Sequence, residues 1–551
     1  MTMAYTMSKE NGTSFATREL ITLESPITKS NGQDLEKYRT DDIPGQVAEK
    51  WRGTQSDKHD MDVLGKKQEL RRNFKFINML GLSSTAIASW EILLPLFAYS
   101  LEDGGTADMF WGFIVGTFGM SLVYASIAEM ASISPTAGGQ YHWVSEFAPP
   151  KIQKFLSYLV GWLSAVGWQL YLAGFASWSP SLSFTIYQGL IALNVEDYVG
   201  QSYHGTLLTI AVLAFSVIFN TSASSHLPMI ESVMLALHVF GMLAITIPLW
   251  VLTPNLSHAS DVLLTFTNEG GWPSKGLSAM IGLTVPFGAL VGFDCSIHMS
   301  EEIQDASIAI PRAIMWSIAP NAAMTFFMIL TLIFCIGDVE GILNSKTGEP
   351  FIQLFYNSTQ SYTATNIMVT LLIILLLSCC VSEVATTSRQ IWSFSRDQGL
   401  PASGWLSKIS PGLNIPLRAV CVSIFVSCLL SLINLGSAFA LNAINSLGVV
   451  SILSSYYITI SCLIWRRTQG PLPNRRWSLG KYGMAINIGA LMFLTPFWLF
   501  AFWPLTLPVT LENMNWSSVM FVGAFSVSLI YYYFKARHVY KGPMILVKRN
   551  E

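Results

Sequence analysis

Residues 76–101 read FINMLGLSSTAIASWEILLPLFAYSL, a run long and apolar enough to cross a bilayer as a helix, which takes about 20 residues. Its middle is badly made for that purpose. Ser83, Ser84 and Thr85 sit together, Ser89 follows, and then come Trp90 and a carboxylate, Glu91. At about 1.5 Å of rise per residue from the basic cluster 66–75, residues 86–91 fall near mid-bilayer. A charge there is expensive unless it faces protein or a water-filled cavity. Small residues beside a buried charge fit a helix that unwinds at the midplane and exposes backbone groups to a ligand. The plainer alternative is an intact helix whose serines bond back to the preceding turn and whose Glu91 points at a neighbouring helix.

The rest of the chain agrees that this is a membrane protein. Of its 551 residues 51% are hydrophobic and only 12% charged, and mean hydropathy is +0.45. Soluble domains carry about twice that share of charge. A net charge of −2 gives no reason to expect a nucleic-acid partner. All seven cysteines lie in apolar segments without metal-ligand spacing, so they read as packing residues, and no metal or cofactor is expected.

Hydropathy predicts an all-α polytopic protein of twelve spans, at 76–100, 109–133, 155–185, 204–222, 228–252, 276–299, 313–336, 364–388, 417–435, 438–464, 484–504 and 516–534. Residues 1–75, polar and poor in aromatics, read as a disordered tail; 536–551 form a C-terminal tail, and 76–535 the membrane domain. Lysine and arginine set the orientation. Thirteen precede the first span, twelve lie in even-numbered loops and five follow the last span, whereas odd-numbered loops hold only Lys275 and Lys346. Both termini are therefore expected in the cytoplasm. Glycosylation sequons at Asn255, Asn357 and Asn515 fall in loops then outside; those at Asn11 and Asn220 fall inside.

Three motifs carry more specific information: AEMASISPTAGGQYHWVSEFAPP at 128–150, GFDCSIHMSEEIQDASIAIPRAI at 292–314 and TTSRQIWSFSRDQGLP at 386–401. Together, in this order and spacing, they resemble the amino acid–polyamine–organocation superfamily, in its amino acid/choline branch with the fungal choline and GABA permeases. The resemblance runs over about residues 70–535. It implies a five-plus-five inverted repeat with discontinuous helices 1 and 6. The sixth span independently meets that demand: in GLTVPFGALVGFDCSIHMSEE, Pro286, Gly288 and Gly292 interrupt the middle. Paired interruptions in corresponding helices are the best sequence pointer to a transporter's binding site.

Candidate substrate-binding residues follow. From the two breaks come Ser89, Trp90, Glu91, Phe287 and Gly288. In the resembling fold span 3 lines the site, which adds Trp168 and Tyr171. Amino acid transporters of the superfamily commonly place a Gly-Ser-Gly-like stretch in the first break to bind a carboxylate; here Ala88-Ser89-Trp90 stands in its place. The indole and Glu91 suit a cation instead, so choline-like amines are the expected substrates, with GABA or a neutral amino acid as the alternative. His238 on span 5 looks similarly placed to a residue that stands at the sodium position in proton-coupled relatives, and is expected to couple transport to protons. Glu129, Asp294, Glu301 and Arg389 are expected to close a cytoplasmic gate, although Arg389 also fits simple positive-inside bias.

Competing classes are weaker. No G-x-x-x-x-G-K-[ST] phosphate loop is present, which disfavours ATP-driven transport. Eight scattered histidines supply no nucleophile–base or metal cluster for an enzyme. Export of a cationic metabolite and sensing without transport stay open. The expected partners are a small-molecule substrate, protons and the lipid bilayer of the plasma membrane; the sequence fixes no oligomeric state.

Overall fold

The computed structural model describes residues 47–177, 185–411, 413–435, 438–511 and 513–548. Among them, eleven helices are long and apolar enough to cross a membrane. The numbering of the twelve sequence segments is kept below. Segment 2 is Gly105–Ile133, segment 3 Gln153–Ser177, segment 4 Ser202–Asn220 and segment 5 Leu227–Leu252. Segments 7 to 12 begin at Ala306, Tyr362, Leu417, Ala438, Gly483 and Ser517. The expected end of segment 3, 178–184, lies outside the described residues.

Segments 1 and 6 are the exceptions, for local reasons. Segment 1 is two helices, Phe76–Thr85 and Ser89–Glu102, joined through Ala88, whose φ of 46° and ψ of 48° are left-handed. A non-glycine residue pays for that conformation, which persists only where surrounding structure holds it. Segment 6 is Lys275–Gly282, Thr284–Gly288 and Cys295–His298. Pro286 is inside the second piece rather than in the gap. The gap, 289–294, turns at Gly292 with φ 117°, a value open almost only to glycine. These short pieces are why segment 6 is not among the eleven.

Segment 2 packs on segment 7 and segment 3 on segment 8, and the break of segment 1 meets that of segment 6. Each contact joins a segment to the one five places later, as a five-plus-five inverted repeat requires. Segment 1 also approaches segment 5 closely at Gly81, where a Cβ would lie 2.7 Å from the Glu231 carbonyl oxygen.

The disordered-tail expectation fails from residue 47 onward. A helix at Gln55–Val63, capped by Thr54, sits against the start of segment 7, where the Asp57 carboxylate accepts from the amides of Asp305 and Ala306. Arg72 donates to the carbonyls of Ser300 and Ile303, and Phe74 bridges to Ile303 in parallel. The docking runs largely through hydrogen bonds to backbone, so hydropathy does not register it. The C-terminal stretch joins the same face, with the Lys548 amide donating to the Val63 carbonyl at 2.7 Å. This face is called the terminal side below. The opposite side carries a two-residue antiparallel ladder, Asp103–Gly104 with Thr267–Asn268.

Candidate functional site

A cavity of about 340 Å³ enters from the opposite side, within the usual range for small-molecule sites. Its walls are the second helix of segment 1 (Ile92, Pro95, Leu96, Tyr99), segment 3 (Tyr171, Gly174, Phe175), segment 6 (Thr284, Val285, Gly288), and segments 10 and 11. Glu102, Asn513 and Asn515 line it among the loops at its mouth. Tyr171 forms the floor. Its hydroxyl donates to the Val291 carbonyl at 3.1 Å, and a Cβ on Gly292 would lie 3.8 Å from Ile87 and 3.9 Å from the Tyr171 ring. The two chain breaks therefore meet against one tyrosine ring. Tyr124 stitches the segment 6 gap from behind, donating to the Leu290 carbonyl at 2.9 Å and accepting from the Gly292 amide at 2.9 Å.

Beyond the floor lie two fully buried carboxylates. Asp294 accepts from the Gln140 amide at 2.6 Å and from the Tyr456 hydroxyl. Glu383, on segment 8, has no hydrogen-bond partner on either oxygen. Further on, the terminal side is closed by ion pairs. Arg389 meets Glu302 at 2.7 Å, Arg396 meets Glu301 at 2.6 Å, and Lys66 meets Asp397 at 3.7 Å. Arg467 and Arg475 converge on Glu129, and Arg476 pairs with Asp305. Burial opposes ionisation of Glu301, but the Arg396 charge and hydrogen bonds, with Lys66 and Arg72 behind them, bring its pKa down to about 2. Burial also pushes the Lys66 ammonium down, against the pull of Asp397.

Most candidates from the sequence find definite places, though not all at the cavity. Tyr171 and Gly288 line it. Trp168 lies one turn below Tyr171, its ring 5.6 Å from that of His298. Phe287 is turned away, packed on Phe493 and Phe497 at 4.9 and 5.1 Å between ring centres. Ser89, Trp90 and Glu91 also face away and do not line this cavity. Because Ser89 opens the second helix of segment 1, its first turn abuts segments 5 and 7. The Ser89 hydroxyl donates to Asn321 and the Trp90 ring lies 5.8 Å from His238. Glu91 Oε1 is 2.5 Å from His238 Nδ1. His238 Nε2 lies 3.1 Å from Asn321 Oδ1, and Asn321 is held in that orientation by its amide donating to Ser317. Both ring nitrogens of His238 thus lie within hydrogen-bond distance of oxygens on segments 1 and 7.

Glu231, two helical turns before His238 on segment 5, sits between segments 1 and 8 and accepts from Thr85 at 2.8 Å and Ser382 at 2.6 Å. Of the four proposed gate residues, Glu129, Glu301 and Arg389 each make an ion pair on the terminal side, whereas Asp294 lies deeper and meets no base among the described residues. Among the sequons, Asn255 and Asn357 are exposed on the opposite side, while the Asn515 amide donates to the carbonyls of Ala501 and Trp503. Sequence reasoning missed Tyr124, Gln140, Asn321 and Tyr456, and the whole of 47–75. Asn321 gave the clearest signal, an amide inside an apolar run.

The description "Amino acid permease" belongs to the family model that matches residues 74–525. The chain belongs to the amino acid permease family. This permease is 29% identical to the choline transporter of Saccharomyces cerevisiae over 473 residues, 85% of this chain and 82% of the relative. It is 29% identical to amino-acid permease 2 of Neurospora crassa over 497 residues, 89% and 90% of the two chains. To amino-acid permease BAT1 of Arabidopsis thaliana it is 28% identical over 499 residues, 87% and 95% of the two chains. The permease is thus an integral membrane transporter rather than an enzyme, as its motifs and interrupted segments imply.

Proposed function

We propose that the permease is a secondary active transporter of small amine-bearing solutes, favouring choline-like cations and driven by proton symport. The observation that carries this reading is the meeting of two chain breaks at the floor of a cavity that is open on one side and shut by ion pairs on the other. Broken helices at mid-depth place backbone dipoles on a solute, and rocking of one repeat against the other exposes the site alternately. The cation preference rests on the aromatic rings of Tyr171 and Phe175, 4.6 Å apart, and on acidic rather than basic residues around the site. An aromatic face attracts quaternary ammonium by about 0.5–2 kcal/mol. The name of the yeast relative supports it. The second reading is a GABA or neutral amino acid permease, and the names of the Neurospora and Arabidopsis relatives favour it only as far as amino-acid permease.

Proton coupling is assigned to His238 with Glu91, a buried pair at mid-depth whose charge state sets the contact of segment 1 with segments 5 and 7. The terminal side is read as cytoplasmic and the membrane as the plasma membrane, so the cavity faces outward and Asn255 and Asn357 are open to glycosylation. The experiment is uptake into proteoliposomes of labelled choline, GABA, lysine, alanine and spermidine, with and without an imposed proton gradient. Choline accumulation driven by the gradient is expected, and His238→Ala is expected to lower it at least tenfold. Alanine entering best refutes the cation preference, uptake indifferent to the gradient refutes symport, and an unchanged pH profile in His238→Ala removes the role of His238.

A further inference from the structure

The carboxylate of Glu383 is fully buried, with neither oxygen hydrogen-bonded. An ionised group so placed costs several kcal/mol unless something of opposite charge joins it. Other buried acids near the breaks have partners: Asp294 has Gln140 and Tyr456, Glu231 has Thr85 and Ser382, and Glu91 has His238 on one of its two oxygens. Glu349 also lacks partners, but it sits beside Gly189 and Ile352 rather than at either chain break.

Helical spacing shows what Glu383 faces. Four residues earlier, the Cys379 thiol donates to the Ala86 carbonyl in the segment 1 break at 3.0 Å. Four residues later, the Thr387 hydroxyl donates to the Trp168 carbonyl of segment 3 at 3.2 Å. Side chains at i and i+4 share one face, so Glu383 looks into the space between the first break and segment 3. Its electrostatic neighbours there are Asp294, Tyr171, Cys295, Cys379 and Cys380. None is basic.

We propose that Glu383 is the anionic anchor for the ammonium end of the transported solute, reached from the cavity when the Tyr171 hydroxyl leaves the Val291 carbonyl. This rests on the transporter reading and adds a recognition residue to it. The solute enters past Phe175, displaces the single hydrogen bond that holds Tyr171, and brings its positive charge to the carboxylate between the two breaks. A ligand with no positive charge gains nothing from that step.

The test compares choline with its uncharged carbon isostere, 3,3-dimethylbutan-1-ol, in equilibrium binding to the purified full-length permease in nanodiscs. Wild type is expected to bind choline at least tenfold more tightly than the isostere. Glu383→Gln, which is the same size and removes the buried charge, is expected to lose that preference by weakening choline alone. Glu383→Asp is expected to recover part of it. Unchanged choline affinity in Glu383→Gln overturns the anchor while leaving the transporter reading in place. Equal weakening of choline and the isostere also overturns it, since that marks a packing defect. Wild type that binds neither choline nor, in the same assay, GABA, lysine, alanine or spermidine overturns both readings.

Discussion

The two faces of the permease are built on different principles. On the terminal side, Glu129, Glu301, Glu302, Asp305 and Asp397 each meet an arginine or lysine, and the segment 47–75 is laid across the ends of segments 6 and 7 by hydrogen bonds. On the opposite side no ion pair occurs among the described residues, and the cavity mouth is lined by Glu102, asparagines and aromatic rings. With this face read as cytoplasmic, as proposed, positive-inside bias supplies its arginines. It does not supply the carboxylates that match them. A buried pair gains little over a hydrophobic contact, yet breaking one partner costs about 3–5 kcal/mol. A face held that way is shut or open, with little between, which is what one half of an alternating cycle needs.

The strongest way to break this asymmetry is at Arg389, whose partner Glu302 is almost as buried as the arginine itself. Arg389→Glu puts two carboxylates in one dry site and is expected to cut choline uptake at least a hundredfold. Binding of choline from the cavity side is expected to fall much less. The charge swap Arg389→Glu with Glu302→Arg is expected to restore a measurable part of the flux. A single variant that loses binding and flux alike, with no recovery in the swap, sets Arg389 down as a folding residue and removes the gate.

The second prediction sharpens the comparison through pH. The Glu301 pKa, about 2 against an ordinary 4.5, lies below its unfolded value. Its contribution is therefore complete above about pH 4.5 and drains away as pH falls towards 2. At full depression that contribution is roughly 3 kcal/mol. Spin labels at the exposed Lys58 and Lys408 are expected to report a fixed separation from pH 7 to about 5 and a broadening distribution below 4.5. A distribution unchanged at pH 3 contradicts the role of Glu301 in closing this face.

How far the sequence disclosed these features follows from which interactions each one uses. Segment ends and the paired breaks were legible because Gly292, Pro286 and the Ser83–Ser89 cluster violate hydropathy where a plain helix would not. The ion-pair face was half legible: Glu129, Glu301 and Arg389 stand out as charges beside apolar spans. Their partners did not, because Arg467, in the last turn of segment 10, and Arg475, in the loop after it, lie more than 300 residues away. Side-chain direction was the least legible. Trp90 and Glu91 stand in the first turn after the break, and a change of some 100° in where that turn begins decides whether they face the cavity or segment 5. The left-handed Ala88 sets that phase, and nothing in its neighbours announces it. The same limit applied to Glu383, whose lack of partners only the fold reveals.

The smallest expected effect concerns Asp57, the residue that fastens the N-terminal segment to segment 7. Its carboxylate accepts from the Asp305 and Ala306 amides at 2.8 and 3.0 Å and lies 3.2 Å from the Arg72 guanidinium. It is a cap supplied by another part of the chain: Ala306 opens a 30-residue helix, and the acid meets the positive end of its dipole. Asp57→Asn keeps the shape and one acceptor, and Arg72 keeps its bonds to the Ser300 and Ile303 carbonyls, so the loss is expected to be about 1 kcal/mol rather than the roughly 3–5 kcal/mol of a buried charge left with no partner. Segment 7 is held elsewhere along its length, so the helix itself is expected to persist. What loosens is the strap. Amide exchange at 55–75 is therefore expected to quicken about fivefold in Asp57→Asn, with exchange at 310–330 unchanged. Exchange that quickens equally in both stretches means that Asp57 supports the helix and not the strap, and exchange that moves in neither means that Arg72 and Phe74 hold the segment without it.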